Sequence, residues 1–86
     1  MHQIEATKEC QRQMRKLTSK NSVLFDALDS QLKKIKENPY HFKPLGNIMA
    51  GFRRVHVLKC FVLTYEIDES RKVVVLKRFS HHGEAY

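Results

Sequence analysis

The hydrophobic residues of this chain change their spacing once, from a helical period before residue 38 to alternation after residue 51. Before the change, apolar side chains recur at intervals of three and four, which is typical of amphipathic helices. After it, they alternate with polar side chains or form β-branched runs, which is typical of strands. Helices this short are marginal in water alone. The pattern therefore predicts two helices whose apolar faces must pack against a sheet to be stable.

Two helices are expected in the first half, in an antiparallel hairpin. Thr7 is placed to cap the first helix, and the segment 20–22 interrupts the pattern and offers a second cap. The second helix should end before Asn38-Pro39, because the residue before a proline disfavours helical dihedral angles. The apolar stripes consist of Cys10, Met14 and Leu17 in the first helix, and of Leu24, Phe25, Leu28, Leu32 and Ile35 in the second.

Strands are expected at residues 2–6, 52–58, 60–67 and around 73–76, and the proline- and glycine-containing segment 39–51 is expected to be a loop. In the segment 52–58, alternation divides the side chains into two faces. One face carries Phe52, Arg54, His56 and Leu58, and the other carries Arg53, Val55 and Val57. The resulting order is strand, helix, helix and three strands. We predict an α+β fold in one domain that spans residues 1–86.

The charge balance favours a polyanionic partner. The chain has 16 Lys and Arg against 9 Asp and Glu, a net charge of +7 and an isoelectric point near 9.7. Nucleic acid or an acidic protein would suit this surface, and the alternative is a soluble surface that is merely basic. Cys10 and Cys60 form no metal-binding or disulfide pattern, so we expect free thiols in a reducing compartment. A signal sequence and a membrane span are not recognisable, which predicts a cytoplasmic protein with no membrane partner.

Arg54 and His56 are the first candidates for chemistry. They are two residues apart in a predicted strand, so they project from the same face about 7 Å from one another. A guanidinium group next to an imidazole can bind a phosphate and move a proton beside it. The alternative for this pair is a solvated strand face.

The C-terminal segment adds His81, His82 and Tyr86, and it directly follows the last strand. Histidine titrates near neutral pH, and tyrosine can donate a hydrogen bond or stack on a base. A disordered tail or an adventitious metal site is the alternative. Together with His56, His81 and His82 provide three imidazoles, which would suit a zinc site. No carboxylate or cysteine has a matching local spacing. We therefore expect no metal and no small-molecule cofactor.

Alternation places Lys77 and Arg78 on opposite faces of the last strand, so one of them should be only a surface charge. The first helix carries a further basic face. Lys8, Arg12, Arg15 and Lys16 form it. These residues are candidates for contacts with RNA phosphates, and the alternative is again a solvated face.

Four segments of the second half carry a resemblance to a known family. They are Lys43-Pro44-Leu45-Gly46-Asn47, Gly51-Phe52-Arg53-Arg54-Val55-His56-Val57, Leu63-Thr64-Tyr65-Glu66-Ile67-Asp68 and His81-His82-Gly83-Glu84-Ala85-Tyr86. The whole chain resembles the RelE/ParE superfamily of toxins from prokaryotic toxin–antitoxin pairs, and within it the RelE-like branch that includes YafQ. The resemblance implies a RelE-like fold of the microbial RNase type, in which two N-terminal helices back a four-stranded, mainly antiparallel sheet.

The function implied by the resemblance is that of a ribosome-dependent mRNA endonuclease that a cognate antitoxin silences. In such enzymes the ribose 2′-hydroxyl attacks the adjacent phosphate, which requires a base, an acid and cations. Positions in the family assign these roles to His56 and His82 as acid and base, to Arg78 as phosphate stabiliser and to Tyr86 as the terminal aromatic. Arg54 joins the phosphate stabilisers. The expected RNA-binding residues are Lys43, Arg53, Lys77, His81 and the four basic residues of the first helix.

Three positions depart from the family pattern. RelE-type enzymes have an arginine where this chain has Val62, and YafQ-type enzymes have an aspartate where it has Cys60 and a histidine where it has Lys43. Two other functions of this superfamily therefore stay open. One is a ParE-like toxin that inhibits gyrase, and the other is a catalytically inactive homologue that binds an antitoxin.

Overall fold

The elements of the computed structural model follow the predicted order, with one addition. The structure describes residues 2–42, 44–45 and 49–81. Its elements are β1 (Gln3–Ala6), α1 (Lys8–Thr18), α2 (Ser22–Glu37), β2 (Pro44–Leu45), β3 (Met49–Val57), β4 (Phe61–Asp68) and β5 (Val73–His81). Neither helix of this described part is long and apolar enough to cross a membrane.

The predicted caps define the helix boundaries. The Thr7 side chain accepts a hydrogen bond from the Cys10 amide at 3.1 Å, and α1 begins at the next residue after Thr7. Asn21 caps α2 in the same way through the Leu24 amide at 3.0 Å. At the other end, the helix stops at Glu37, before the Asn38-Pro39 pair. Each of these boundaries follows from a local preference of one or two residues.

The strands form one sheet in the order β1-β5-β4-β3-β2. β1 is parallel to β5, and every other pair is antiparallel. The α+β class, the two helices and the three successive antiparallel strands are confirmed. The prediction of a loop over residues 39–51 is partly wrong, because the two-residue strand β2 extends the predicted four strands to five and because β3 already begins at Met49. Antiparallel pairing between β2 and β3 overrides the proline and glycine content of this segment.

The hydrophobic core lies between the two helices and one face of the sheet, which we call the helix face. The sheet contributes seven buried side chains to it, and the helices contribute the rest. The core consists of Cys10, Leu24, Leu28, Ile35, Val55, Val57, Leu63, Tyr65, Val74, Leu76 and Phe79. Phe25, expected in the stripe of α2, is instead 56% exposed. It directly follows Leu24, and neighbouring helical positions are turned by about 100°, so only one of the two can point fully inward.

A β-bulge in β5 decides which side chains reach each face. Thr64 pairs with Arg78, but the next residue, Tyr65, pairs with Leu76, so Lys77 is an extra residue. Arg78 therefore lies on the face opposite the helices, which we call the outer face. The Lys77 ammonium also reaches that face, 3.5 Å from the Glu66 carboxylate. The expectation that Lys77 and Arg78 lie on opposite faces is wrong, because simple alternation ignores the extra residue.

The loop after α2 is tied to the helix face of the sheet by two side chains. The hydroxyl of Tyr65, which is fully buried, donates a 2.7 Å hydrogen bond to the Pro39 carbonyl. Arg53 pairs with Tyr65 across the strands and donates a 2.6 Å hydrogen bond to the Phe42 carbonyl. Its guanidinium also lies over the ring of Tyr40, 5.3 Å from the centroid. Arg53 therefore holds the loop against β3.

Burial gives Tyr65 a role in the pH dependence of stability. Burial raises the pKa of Tyr65 to about 12, although the Arg53 guanidinium acts in the opposite direction. The folded state thus favours the neutral phenol, so this stabilisation is complete below pH 10 and is lost as the pH rises toward 12. We expect Tyr65→Phe to lower the free energy of unfolding by about 1–2 kcal/mol at pH 7, because the Pro39 carbonyl loses its donor. Urea unfolding at pH 7 and pH 10.5 should show that the difference between the two proteins narrows at high pH. A constant difference would contradict the assignment.

Both cysteines are free thiols, as predicted. Cys10 is fully buried, and Cys60 is exposed in the turn between β3 and β4. Burial raises the pKa of the Cys10 thiol to about 11, with a smaller contribution from Glu9. Cys10 is therefore a neutral core residue near neutral pH.

Candidate active site

A row of three side chains crosses the outer face at the centre of the sheet. Arg54 on β3 pairs with Thr64 on β4, and Thr64 pairs with Arg78 on β5. Residues that pair directly across antiparallel strands point to the same face, and neighbouring strands are about 4.8 Å apart. The backbones of the two arginines are thus about 10 Å apart, with the Thr64 side chain between them. This spacing allows both guanidinium groups to reach one phosphate above Thr64.

His56 lies in the next row on the same face. It is two residues from Arg54 on β3, and it pairs with Val62, which pairs with Ser80. The imidazole is exposed, while Val62 is only 2% exposed. Behind the strand, the Gln31 side chain of α2 donates a 2.9 Å hydrogen bond to the His56 carbonyl. The backbone that carries this histidine is therefore fixed from the helix side.

These two rows combine two cations with one group that can transfer a proton. The two guanidinium groups can stabilise the charge that develops on a phosphate under attack. His56 can accept or donate a proton beside it. Val62 puts an apolar side chain at the centre of the face. The cations near the centre of the face are Arg54 and Arg78, which belong to the adjacent row.

Several of the predicted residues lie elsewhere. Arg53 and His81 are on the helix face, where His81 packs edge-on against Phe61 with 5.3 Å between ring centroids. Since His56 is on the outer face, it does not share a site with His81. Lys77 lies on the outer face, with its ammonium 5.9 Å from the centroid of the Phe52 ring and in an ion pair with Glu66. The predictions for Lys43, His82 and Tyr86 fall outside the described residues.

Only one of the four basic residues of α1 lies near the candidate site. Lys16 lines a groove of about 180 Å³ between α1 and β5 together with Arg78. Lys8, Arg12 and Arg15 are exposed on the side of the helix opposite Cys10. The basic face of α1 is thus divided between two surfaces.

Sequence reasoning missed two polar residues that belong to this region. Thr64 stands between the two arginines, and only the strand pairing reveals it. Gln13 accepts a 3.0 Å hydrogen bond from the Phe79 amide, at the part of β5 that β1 does not cover. It fixes the strand directly after Arg78. The signal that the sequence offered was Gln13 itself, a polar residue one helical turn before Lys16 and next to the apolar stripe of α1.

Comparison with known sequences identifies the family. The sequence profile of the ParE toxin of the type II toxin-antitoxin system, parDE, matches residues 4–86. The chain belongs to the RelE/ParE superfamily of type II toxins. RelE4 of Methanocaldococcus jannaschii is 33% identical over 86 residues, which are 100% of this chain and 92% of the relative. The resemblance seen in the sequence motifs is therefore confirmed.

Solved structures of this superfamily share the fold. The toxin–antitoxin complex RelBE of Escherichia coli includes a chain with a TM-score of 0.78 and 18% identity, over 93% of this chain and 95% of that one. YafQ of Escherichia coli has a TM-score of 0.75 and 20% identity, over 100% of this chain and 99% of that one. These likenesses confirm the two helices that back a mixed sheet.

Proposed function

We propose that this type II toxin is a ribosome-dependent mRNA endonuclease of the cytoplasm, which inhibits translation. The observation that carries the proposal is the row formed by Arg54, Thr64 and Arg78, with His56 beside it on the same face. Two arginines that lie on one face beside a histidine suit a phosphodiester under attack better than they suit a neutral ligand.

The proposed reaction is attack of the ribose 2′-hydroxyl on the adjacent phosphate. His56 and His82 act as the acid and base pair, in an order that we leave open. One takes the proton of the 2′-hydroxyl, and the other gives a proton to the leaving 5′-oxygen, so that the protons balance. Arg54 and Arg78 stabilise the negative charge on the phosphate oxygens. Tyr86 stacks on or orients a base.

A cognate antitoxin and the ribosome are the proposed partners. The solved RelBE structure is a toxin–antitoxin complex, and this supports an antitoxin for the present chain. The net charge of +7 suits binding to ribosomal RNA and to messenger RNA. The proposed chemistry needs no metal and no small-molecule cofactor.

Gyrase inhibition is the second candidate, and the match to the ParE profile favours it. A catalytically inactive, antitoxin-binding homologue is the third, and the apolar Val62 at the centre of the outer face favours that one. Both rivals predict an intact message.

A translation reaction programmed with one defined message tests all three. We expect the purified protein to cut the message within ribosome-bound codons, and to leave the same message intact without ribosomes. The double substitution of His82 and Tyr86 should reduce cleavage by about a hundredfold or more. An intact message would remove the proposal, and a supercoiling assay with gyrase would then test the second candidate. Unchanged cleavage by the double variant would instead overturn the roles of His82 and Tyr86.

A further inference from the structure

A second cationic surface lies beside the proposed active site. The groove between α1 and β5, which we call the α1–β5 groove, is lined by Gln13, Lys16, Leu17, Arg78, Phe79 and Ser80. Among the residues that the structure describes, the lining contains two cations, an amide and a hydroxyl, and no carboxylate. The carbonyl oxygen of Gln13 is already bound to the Phe79 amide, so the NH₂ group of the same side chain is its remaining donor. This set of groups favours an anionic ligand.

Arg78 links the groove to the proposed cleavage site. It belongs to the row with Thr64 on β4, and it also lines the α1–β5 groove on the other side of β5. If an RNA strand with a phosphate above Thr64 continues toward α1, its neighbouring phosphate would lie past Arg78, at the groove. Lys16 is the additional cation on that side.

The other end of the outer face repels a polyanion. A second groove, lined by four carboxylates and two cations, extends along β4 and β5 toward the turn at residues 68–71. The carboxylates belong to Glu5, Glu66, Asp68 and Glu69, and the cations belong to Arg71 and Lys77. Both cations are already in ion pairs, Arg71 with Glu5 and Asp68 and Lys77 with Glu66. An RNA strand that leaves Arg78 is therefore directed toward the α1–β5 groove.

We propose that the α1–β5 groove binds the phosphodiester next to the cleaved one, in single-stranded RNA, with Lys16 as the cation that distinguishes this subsite. The inference rests on the proposed function and adds the path of the substrate. It assigns to Lys16 a role that Lys8, Arg12 and Arg15 do not share, since they face away from the groove.

Binding of a short single-stranded RNA with 2′-O-methyl riboses, which cannot be cleaved, tests this assignment. We expect Lys16→Ala to weaken binding by roughly fivefold at low salt and to reduce the slope of log affinity against log salt by about 0.7. Lys16→Arg should keep most of the affinity. Lys36→Ala removes an exposed lysine from α2 and serves as the matched control, with no expected change.

Several results would overturn the inference. One is the absence of salt-dependent RNA binding by the wild type, and another is an equal loss of affinity in Lys8→Ala and Lys16→Ala. Duplex DNA bound as tightly as the RNA, with the same dependence on Lys16, would also contradict it. If the wild type cleaves ribosome-bound message but Lys16→Ala binds RNA normally, the subsite is wrong and the proposed function stands. If Lys16→Ala selectively loses RNA affinity but the wild type does not cleave, the groove is an RNA-binding site and the proposed function is wrong.

Discussion

Replacement of Arg78 by alanine should reduce ribosome-dependent cleavage by about a hundredfold or more. Arg78 is placed by the bulge in the same row as Thr64 and Arg54, where its guanidinium can stabilise the charge on a phosphate under attack. Removal of one such group from an electrostatic site typically costs a factor of about 100 to 1,000 in rate. Arg78→Lys should recover only part of the loss, because an ammonium group cannot bind two phosphate oxygens in parallel.

The rate of cleavage of a defined message in a translation reaction measures this effect. Arg71→Ala is the matched control, because Arg71 is an exposed arginine in the turn after β4 and is occupied by Glu5 and Asp68. It should change cleavage by less than about twofold. Since Arg78 is exposed, thermal unfolding of Arg78→Ala should match that of the wild type. A variant that keeps more than about a third of the wild-type rate would show that Arg78 does not act on the phosphate.

The parts of the fold that depend on local chemistry could be predicted from the sequence. Thr7 and Asn21 cap the helices as expected, and α2 ends before Pro39, because one or two residues decide each boundary. The order of the elements follows from the change of periodicity. Phe25 was assigned to the wrong surface, because a stripe that includes two adjacent helical positions is wider than the face that the sheet can cover.

The candidate site depends on pairing between distant strands, and this limited its prediction. Thr64 has no feature of its own that marks it, and it gains its place only from Arg54 on one side and Arg78 on the other. The sequence contains one weak sign of the bulge at Lys77. The spacing of the apolar residues 74, 76 and 79 changes from two to three, whereas a strand without a bulge would keep a spacing of two. Arg53 and Arg54 are adjacent and have the same side chain, but they point to opposite faces of the sheet. Only this difference makes Arg53 an anchor for the loop and Arg54 a candidate site residue.

Deletion of Lys77 should leave the protein folded, with Arg78 still on the outer face. Leu76 and Phe79 both face the core although two residues separate them, because Lys77 is an extra residue. Without it only Arg78 separates them, so simple alternation places Leu76 and Phe79 on the helix face and Arg78 on the outer face. The deletion therefore removes the bulge and the Lys77 ion pair, but it does not exchange the two faces of the strand. We expect it to lower the free energy of unfolding by no more than about 2 kcal/mol.

Circular dichroism during thermal unfolding and the cleavage assay test this expectation together. We expect the deletion variant to unfold in one cooperative transition and to retain cleavage of messenger RNA, because Arg78 still pairs with Thr64. Lys77→Ala keeps the length of β5 and removes only a half-exposed ion pair with Glu66, so it should lose no more than about 1 kcal/mol. A deletion variant without a cooperative transition would mean that the bulge itself, and not only the alternation of faces, is required for β5 to pair with β4. A folded deletion variant that no longer cuts the message would mean that catalysis depends on the extra twist that the bulge gives to β5.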